Sequence, residues 1–181
     1  MIIANQLRTK SRAEYLLYMW QVEDLLRVYQ LDIDRIKKEY LSQFKLEGPV
    51  LKETEEWYGH LCEMMRSEGV SEHGHLQINK NTLEDLQELH LQLLKSSKFP
   101  YYKEMYYKVL SYIVELRAKG VAQEDSELQI CFDALYGILL LRLQHKEISP
   151  ETEKARQDIS AFLGQLSDYY NKNKQEPIDF D

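Results

Sequence analysis

Glycine and proline are scarce. Seven Gly and four Pro among 181 residues make about 6% of the chain, against a typical ~12%. That excludes a collagen-like repeat and a linker-rich chain, and it leaves few points at which the chain turns. Cysteine is scarcer. Cys62 and Cys131 lie far apart and form no CxxC pair, so neither a disulfide framework nor a zinc knuckle is indicated. Long apolar runs are missing as well: the longest, Ala134 to Leu141, is eight residues and too short to span a bilayer. The N-terminus turns polar within Met1–Asn5 and lacks the apolar core of a signal peptide. There is no excess of cations. Lys and Arg number 23 against 30 Asp and Glu, a net charge of -7. An acidic chain neutralises few phosphates, so nucleic acid is not an expected partner, and the small basic cluster Arg8, Lys10 and Arg12 does not reverse this. The backbone signatures of a serine hydrolase (GxSxG), an NTPase (P-loop) and a dinucleotide enzyme (GxGxxG) are absent too. The expectation is a soluble cytoplasmic protein with no cofactor, and an enzyme only without a recognisable motif.

What is present is helix. Hydrophobic residues make up 44% and charged residues 29% of the chain, enough at this length to bury roughly 70% of the unfolded surface. Ser11-Arg12-Ala13-Glu14 is a capping box opening a helix to about Gln30. A second helix runs from about Asp32 to Phe44. Gly48-Pro49 opens a third, ending near Gly69, and Asn81 caps a fourth. The fifth starts near Pro100 and stops at Gly120, the sixth runs from Ser126 to Lys146, and Ser149-Pro150 opens the seventh. No stretch alternates with period two. The fold class is all-α, an antiparallel bundle of about seven helices in one domain over residues 1–172, followed by a polar, disordered tail at 173–181.

The first and sixth of these helices are too apolar for a surface and are expected at the centre of the bundle or against a second subunit. In the first, Tyr15, Tyr18, Met19, Val22, Leu25 and Leu26 form one stripe. Leu17, Trp20 and Val28 form another, with Asp24 in its middle. The sixth is apolar nearly all round, and Arg142 projects from the side of Cys131, Leu135 and Ile138. An unpaired buried charge costs several kcal/mol, so Asp24 or Glu23 is expected to pair with Arg142. A ligand-binding polar group would centre on Asp24, Glu23 and Arg142, with Trp20 and Tyr18 beside them.

Histidines give the metal expectation. His73 and His75 lie one residue apart in an irregular, glycine-containing stretch, where a divalent metal is an alternative to a solvated loop. His90 falls on an apolar face, as a satisfied core histidine would. Tyrosine is abundant, 13 Tyr against 5 Phe. Beyond its core face, the fifth helix carries a second stripe, Tyr107, Leu110 and Val114, which suits an interface and makes the partner a protein, itself included as a homodimer.

The segment Ala4-Asn5-Gln6-Leu7-Arg8, followed by residues 13–24 (AEYLLYMWQVED), resembles the opening of a family of small all-helical bacterial proteins known only as a domain of unknown function. The resemblance implies a helical fold and a bacterial source, and supplies no activity. The functional expectation therefore comes from the residues alone: a non-enzymatic interaction or self-associating module, with a small-molecule- or metal-binding bundle as the alternative.

Overall fold

The structure, a computed structural model, describes residues 2–120 and 125–181. Among the described residues there are eight α-helices and no strand. The additional helix is α1 (Ile2–Lys10), which a single residue, Ser11, separates from α2 (Arg12–Val28). Its polar outer face, read from sequence as a basic cluster, hides an inner one on which Ala4 is buried.

The expected helix at 32–44 forms in three short pieces. Asp32 accepts hydrogen bonds from the amides of Asp34 and Arg35, which starts α3 (Ile33–Arg35). A π-helical turn (Ile36–Tyr40) and a 3-10 turn (Leu41–Phe44) follow. Then come α4 (Gly48–Ser67) and α5 (Gln77–Lys95). The start of α5 lies four residues before the expected cap at Asn81. Glu68 Oε2 takes the Gln77 amide at 2.7 Å, so a residue from the preceding turn does the capping. The remaining helices are α6 (Pro100–Ala118), α7 (Glu127–Leu143) and α8 (Pro150–Gln175). Ser126 and Ser149 cap α7 and α8 as the sequence predicts, and Gly69 and Gly120 take the left-handed turns that close α4 and α6.

The chain divides into two compact units. The first consists of Met1–Thr9 and Glu14–Thr82. Its core joins Tyr15, Met19, Val22 and Leu26 of α2 to Tyr58, Leu61, Cys62 and Met65 of α4. Burial pushes the Tyr18 hydroxyl up to about 12, while a hydrogen bond with Tyr58 opposes the shift.

The second unit consists of Lys10–Ala13 and Leu83–Asp181. Here α6 packs on α8, and α7 packs on both. Its tyrosines tie helices together through carboxylates. Tyr106 of α6 donates to Glu127 of α7, and Tyr112 of α6 donates to Asp158 of α8, each at 2.8 Å. Tyr170 of α8 donates to Asp85 of α5 at 3.0 Å. Each ring therefore fills space while its hydroxyl is satisfied between two helices, which accounts for part of the tyrosine excess. Of residues 173–181, expected as a disordered tail, those up to Gln175 continue α8 and 176–181 turn back onto the connection before α6. Asp181 Oδ2 accepts from the Ser97 amide at 2.5 Å and Lys98 Nζ lies 2.9 Å from Asp179. The Phe180 ring meets Phe99 at 5.7 Å.

Candidate functional site

A buried carboxylate organises the first unit. Glu23, on α2, is completely buried. A dehydrated carboxylate needs donors on both oxygens, and Glu23 has three. His75 Nδ1 lies 2.6 Å from Oε2, while the Leu76 amide and Asn79 Nδ2 reach Oε1 at 2.9 Å and 2.6 Å. The imidazole lies flat on the Trp20 indole, with centroids 4.3 Å apart and planes 15° apart. Trp20 and Glu23 sit three residues apart on α2 and so share a face, which is why one helix grips both the ring and its Nδ1.

One turn further on, Arg27 holds the same loop. Its Nη2 donates to the carbonyl oxygens of Val70 (3.2 Å) and Gly74, while Nη1 pairs with Asp24 at 2.8 Å. Two charged side chains of α2 thus fasten the 70–76 loop and the start of α5. With Nδ1 turned to Glu23, the imidazole can offer only Nε2 outward, and its side chain is 30% exposed.

Three of the residues singled out in sequence, Trp20, Glu23 and His75, therefore meet in one cluster. The others lie elsewhere. Asp24 pairs with Arg27 rather than with Arg142. Arg142 is 47% exposed and pairs with Glu153 at 2.5 Å; it is a helix-end residue with a local partner, and no buried charge needs compensating there. Tyr18 belongs to the hydroxyl pair with Tyr58. His73 is exposed, and among the described residues no group of three His, Cys, Asp or Glu is arranged to hold a metal ion. Both thiols are buried, and burial pushes Cys131 up to about 12, which leaves a poor nucleophile.

The second unit holds an opening. A groove of about 800 Å³ lies between α6, α7 and α8. Its floor includes the buried Ile138 and Ile159; Leu116, Ala134, Leu141 and Ala155 are partly buried along it, and Glu115, Lys119, Asp133, Glu151 and Lys154 carry its charge. The groove exists because α7 is apolar nearly all round, while α6 and α8 cover only part of it. Gly137 stands in the middle. Among the described residues a Cβ there would meet nothing within 4 Å, so no packing among them requires a glycine. A glycine inside a helix costs about 0.5–1 kcal/mol relative to alanine. Gly137→Ala should accordingly raise the free energy of unfolding by about that amount, measured by urea denaturation; a loss of stability would show that the site is not open.

Residues 1–177 match the family described as Domain of unknown function (DUF4924). The chain belongs to this family. No curated protein and no solved structure matches it. The family match runs through both compact units, so the Glu23 cluster and the groove both fall within it.

Sequence reasoning missed two of the five residues in the cluster. Asn79 lies before the expected helix start, and nothing in its neighbourhood marks it as buried. Leu76 contributes only a backbone amide, which no side-chain pattern reports. The groove had a signal in the excess apolarity of the 126–146 segment, read as placing that helix at the centre of the bundle or against a second subunit.

Proposed function

We propose that this protein is a non-enzymatic interaction module whose docking surface is the groove between α6, α7 and α8. The observation that carries the reading is the groove itself: about 800 Å³, floored by apolar side chains and open at a glycine whose missing side chain nothing among the described residues replaces. Grooves of this kind between helices receive the apolar face of another helix, through anchors at i, i+3 or i+4, and i+7. The protein works without a cofactor in the cytoplasm of a bacterial cell, and its charge of -7 disfavours nucleic acid as a partner.

The test uses a synthetic amphipathic helix with leucine at i, i+3, i+4 and i+7 and glutamine elsewhere. It should bind the full chain in calorimetry, and Gly137→Trp, which fills the groove, should weaken binding at least about tenfold. Absence of binding, or equal binding by the variant, would overturn the reading.

A second reading is favoured by a different surface. On α6, Tyr107 is 64% and Val114 59% exposed, and with Leu110 they form one stripe at helical spacing. Through it the protein associates with a second copy. Sedimentation velocity at micromolar concentration should show a dimer, and Tyr107→Lys combined with Val114→Lys should return it to monomer. A wild-type monomer at these concentrations would sink the homodimer.

A further inference from the structure

We propose that His75 accepts a phosphoryl group on Nε2 from small activated phosphates, compounds in which phosphorus carries a good leaving group. The reaction belongs to the first unit alone and goes beyond the docking reading, since no groove residue takes part.

The buried carboxylate decides which nitrogen reacts. A carboxylate accepts and does not donate, so the ring proton lies on Nδ1, 2.6 Å from Glu23 Oε2, and Nε2 keeps the lone pair. Glu23 is completely buried and its other oxygen is held by the Leu76 amide and Asn79, so it stays aimed at the ring. Trp20 fixes the ring plane by stacking on one face. The side chain is 30% exposed, which leaves the edge opposite Nδ1 to meet solvent. Held this way, a lone pair can serve as a metal ligand, a base or a nucleophile. A ligand needs companions, and among the described residues no group of three His, Cys, Asp or Glu is arranged to supply them. A base needs further groups to hold its substrate. Attack on a small electrophile needs only the lone pair, a fixed ring and room at its edge.

In the step itself, the Nε2 lone pair attacks phosphorus and a phosphorus–nitrogen bond forms. The bond to the leaving group breaks, and that group departs with the electron pair. Nothing is oxidised or reduced. Nδ1 keeps its proton, and the ring becomes positively charged as the new bond forms. Glu23 faces that developing charge from a dry position, so its attraction grows towards the transition state. The neighbouring carboxylates leave the approach open to an anionic reagent. Glu68 is bound to the Gln77 amide and Asp24 to Arg27, while Glu72 is exposed, where salt screens it.

The other histidines provide the contrast. His60, His73 and His145 are exposed, yet among the described residues no carboxylate bonds their rings. The full chain is treated at neutral pH with phosphoramidate, whose leaving group is ammonia. Phosphorylation at each histidine is followed by peptide mass spectrometry under conditions that preserve the acid-labile phosphorus–nitrogen bond. His75 should react at least about tenfold faster than each of the three more accessible rings. Nuclear magnetic resonance of the labelled imidazole nitrogens should show the proton on Nδ1. In Glu23→Gln the side-chain amide donates to Nδ1, the proton moves to Nε2, and His75 should react at least about tenfold more slowly than in wild type. His73, two residues away, should react as before. A loosened loop would expose His75 and quicken its reaction, so a loss of structure does not imitate this result.

Equal rates at His73 and His75 would overturn the proposal, as would a His75 that takes no phosphoryl group. So would a Glu23→Gln protein in which the tautomer changes and His75 still reacts at the wild-type rate. Each of these outcomes leaves the docking reading intact, because that reading is decided by the leucine–glutamine helix.

Discussion

Glu23→Ala should lower the free energy of unfolding by about 3 kcal/mol, the largest effect expected of any single polar substitution in this chain. The magnitude follows from what the carboxylate leaves behind. The Leu76 amide and Asn79 Nδ2 both bond to Oε1. Asn79 is fully buried, so water does not readily replace the lost acceptor, and each orphaned buried donor costs about 1–3 kcal/mol. His75 is partly exposed and rehydrates, so its share is smaller. Glu23→Gln separates charge from shape. An amide oxygen still accepts from Leu76 and Asn79, while its NH2 group faces His75 Nδ1, which accepts once the other tautomer forms. The expected loss for Glu23→Gln is about 1 kcal/mol. Urea denaturation of both variants measures the pair of values, and amide hydrogen exchange at Leu76 should quicken in Glu23→Ala before the rest of the unit opens. A Glu23→Ala protein within 0.5 kcal/mol of wild type would show that the cluster does not hold the loop.

Acid should destabilise the second unit through His90. This residue is buried on α5, with Nδ1 2.7 Å from the Tyr102 hydroxyl and the rings of Tyr102, Tyr106 and Phe162 around it. Burial pushes the imidazole down to about 4, against a partial opposing effect of Glu127. Between that value and the ordinary 6.5, the unfolded chain binds the proton and the folded one does not. Stability through this group is therefore complete above pH 6.5 and is lost as pH falls towards 4. The window spans about 2.5 pH units, which corresponds to about 3 kcal/mol. His90→Gln keeps a hydrogen-bonding group near Tyr102 and cannot titrate there. Unfolding free energies at pH 7 and pH 4.5 should fall more steeply in wild type than in His90→Gln. Equal slopes would mean that His90 takes its proton while folded.

The helical fold was legible because its punctuation is chemical. Ser126 and Ser149 announce α7 and α8 by the side-chain oxygens that cap them, and Gly69 and Gly120 announce the ends of α4 and α6. The end of α2 carries no such mark. Gln30 and Leu31 both take left-handed backbone there without a glycine, and burial of the Leu31 side chain stabilises the turn. Long-range polar pairing was the least legible level. Asp24 and Arg142 looked like a pair because each sits among apolar neighbours in sequence, whereas each has an oppositely charged partner within eleven residues. Glu23, in contrast, is bound to groups more than fifty residues away, a separation no local pattern reports. Tyrosine content suggested rings at the edge of the core or at an interface, and three of the hydroxyls join helices within the unit.

Chemical-shift mapping of the isotopically labelled full chain, titrated with the leucine–glutamine amphipathic helix, tests the docking claim most directly. The groove reading predicts perturbations concentrated at Leu116, Ala134, Gly137, Leu141 and Ala155, saturating together at one affinity and disappearing in Gly137→Trp. Perturbations confined to Tyr107, Leu110 and Val114, or spread over the acidic surface without saturation, would contradict it.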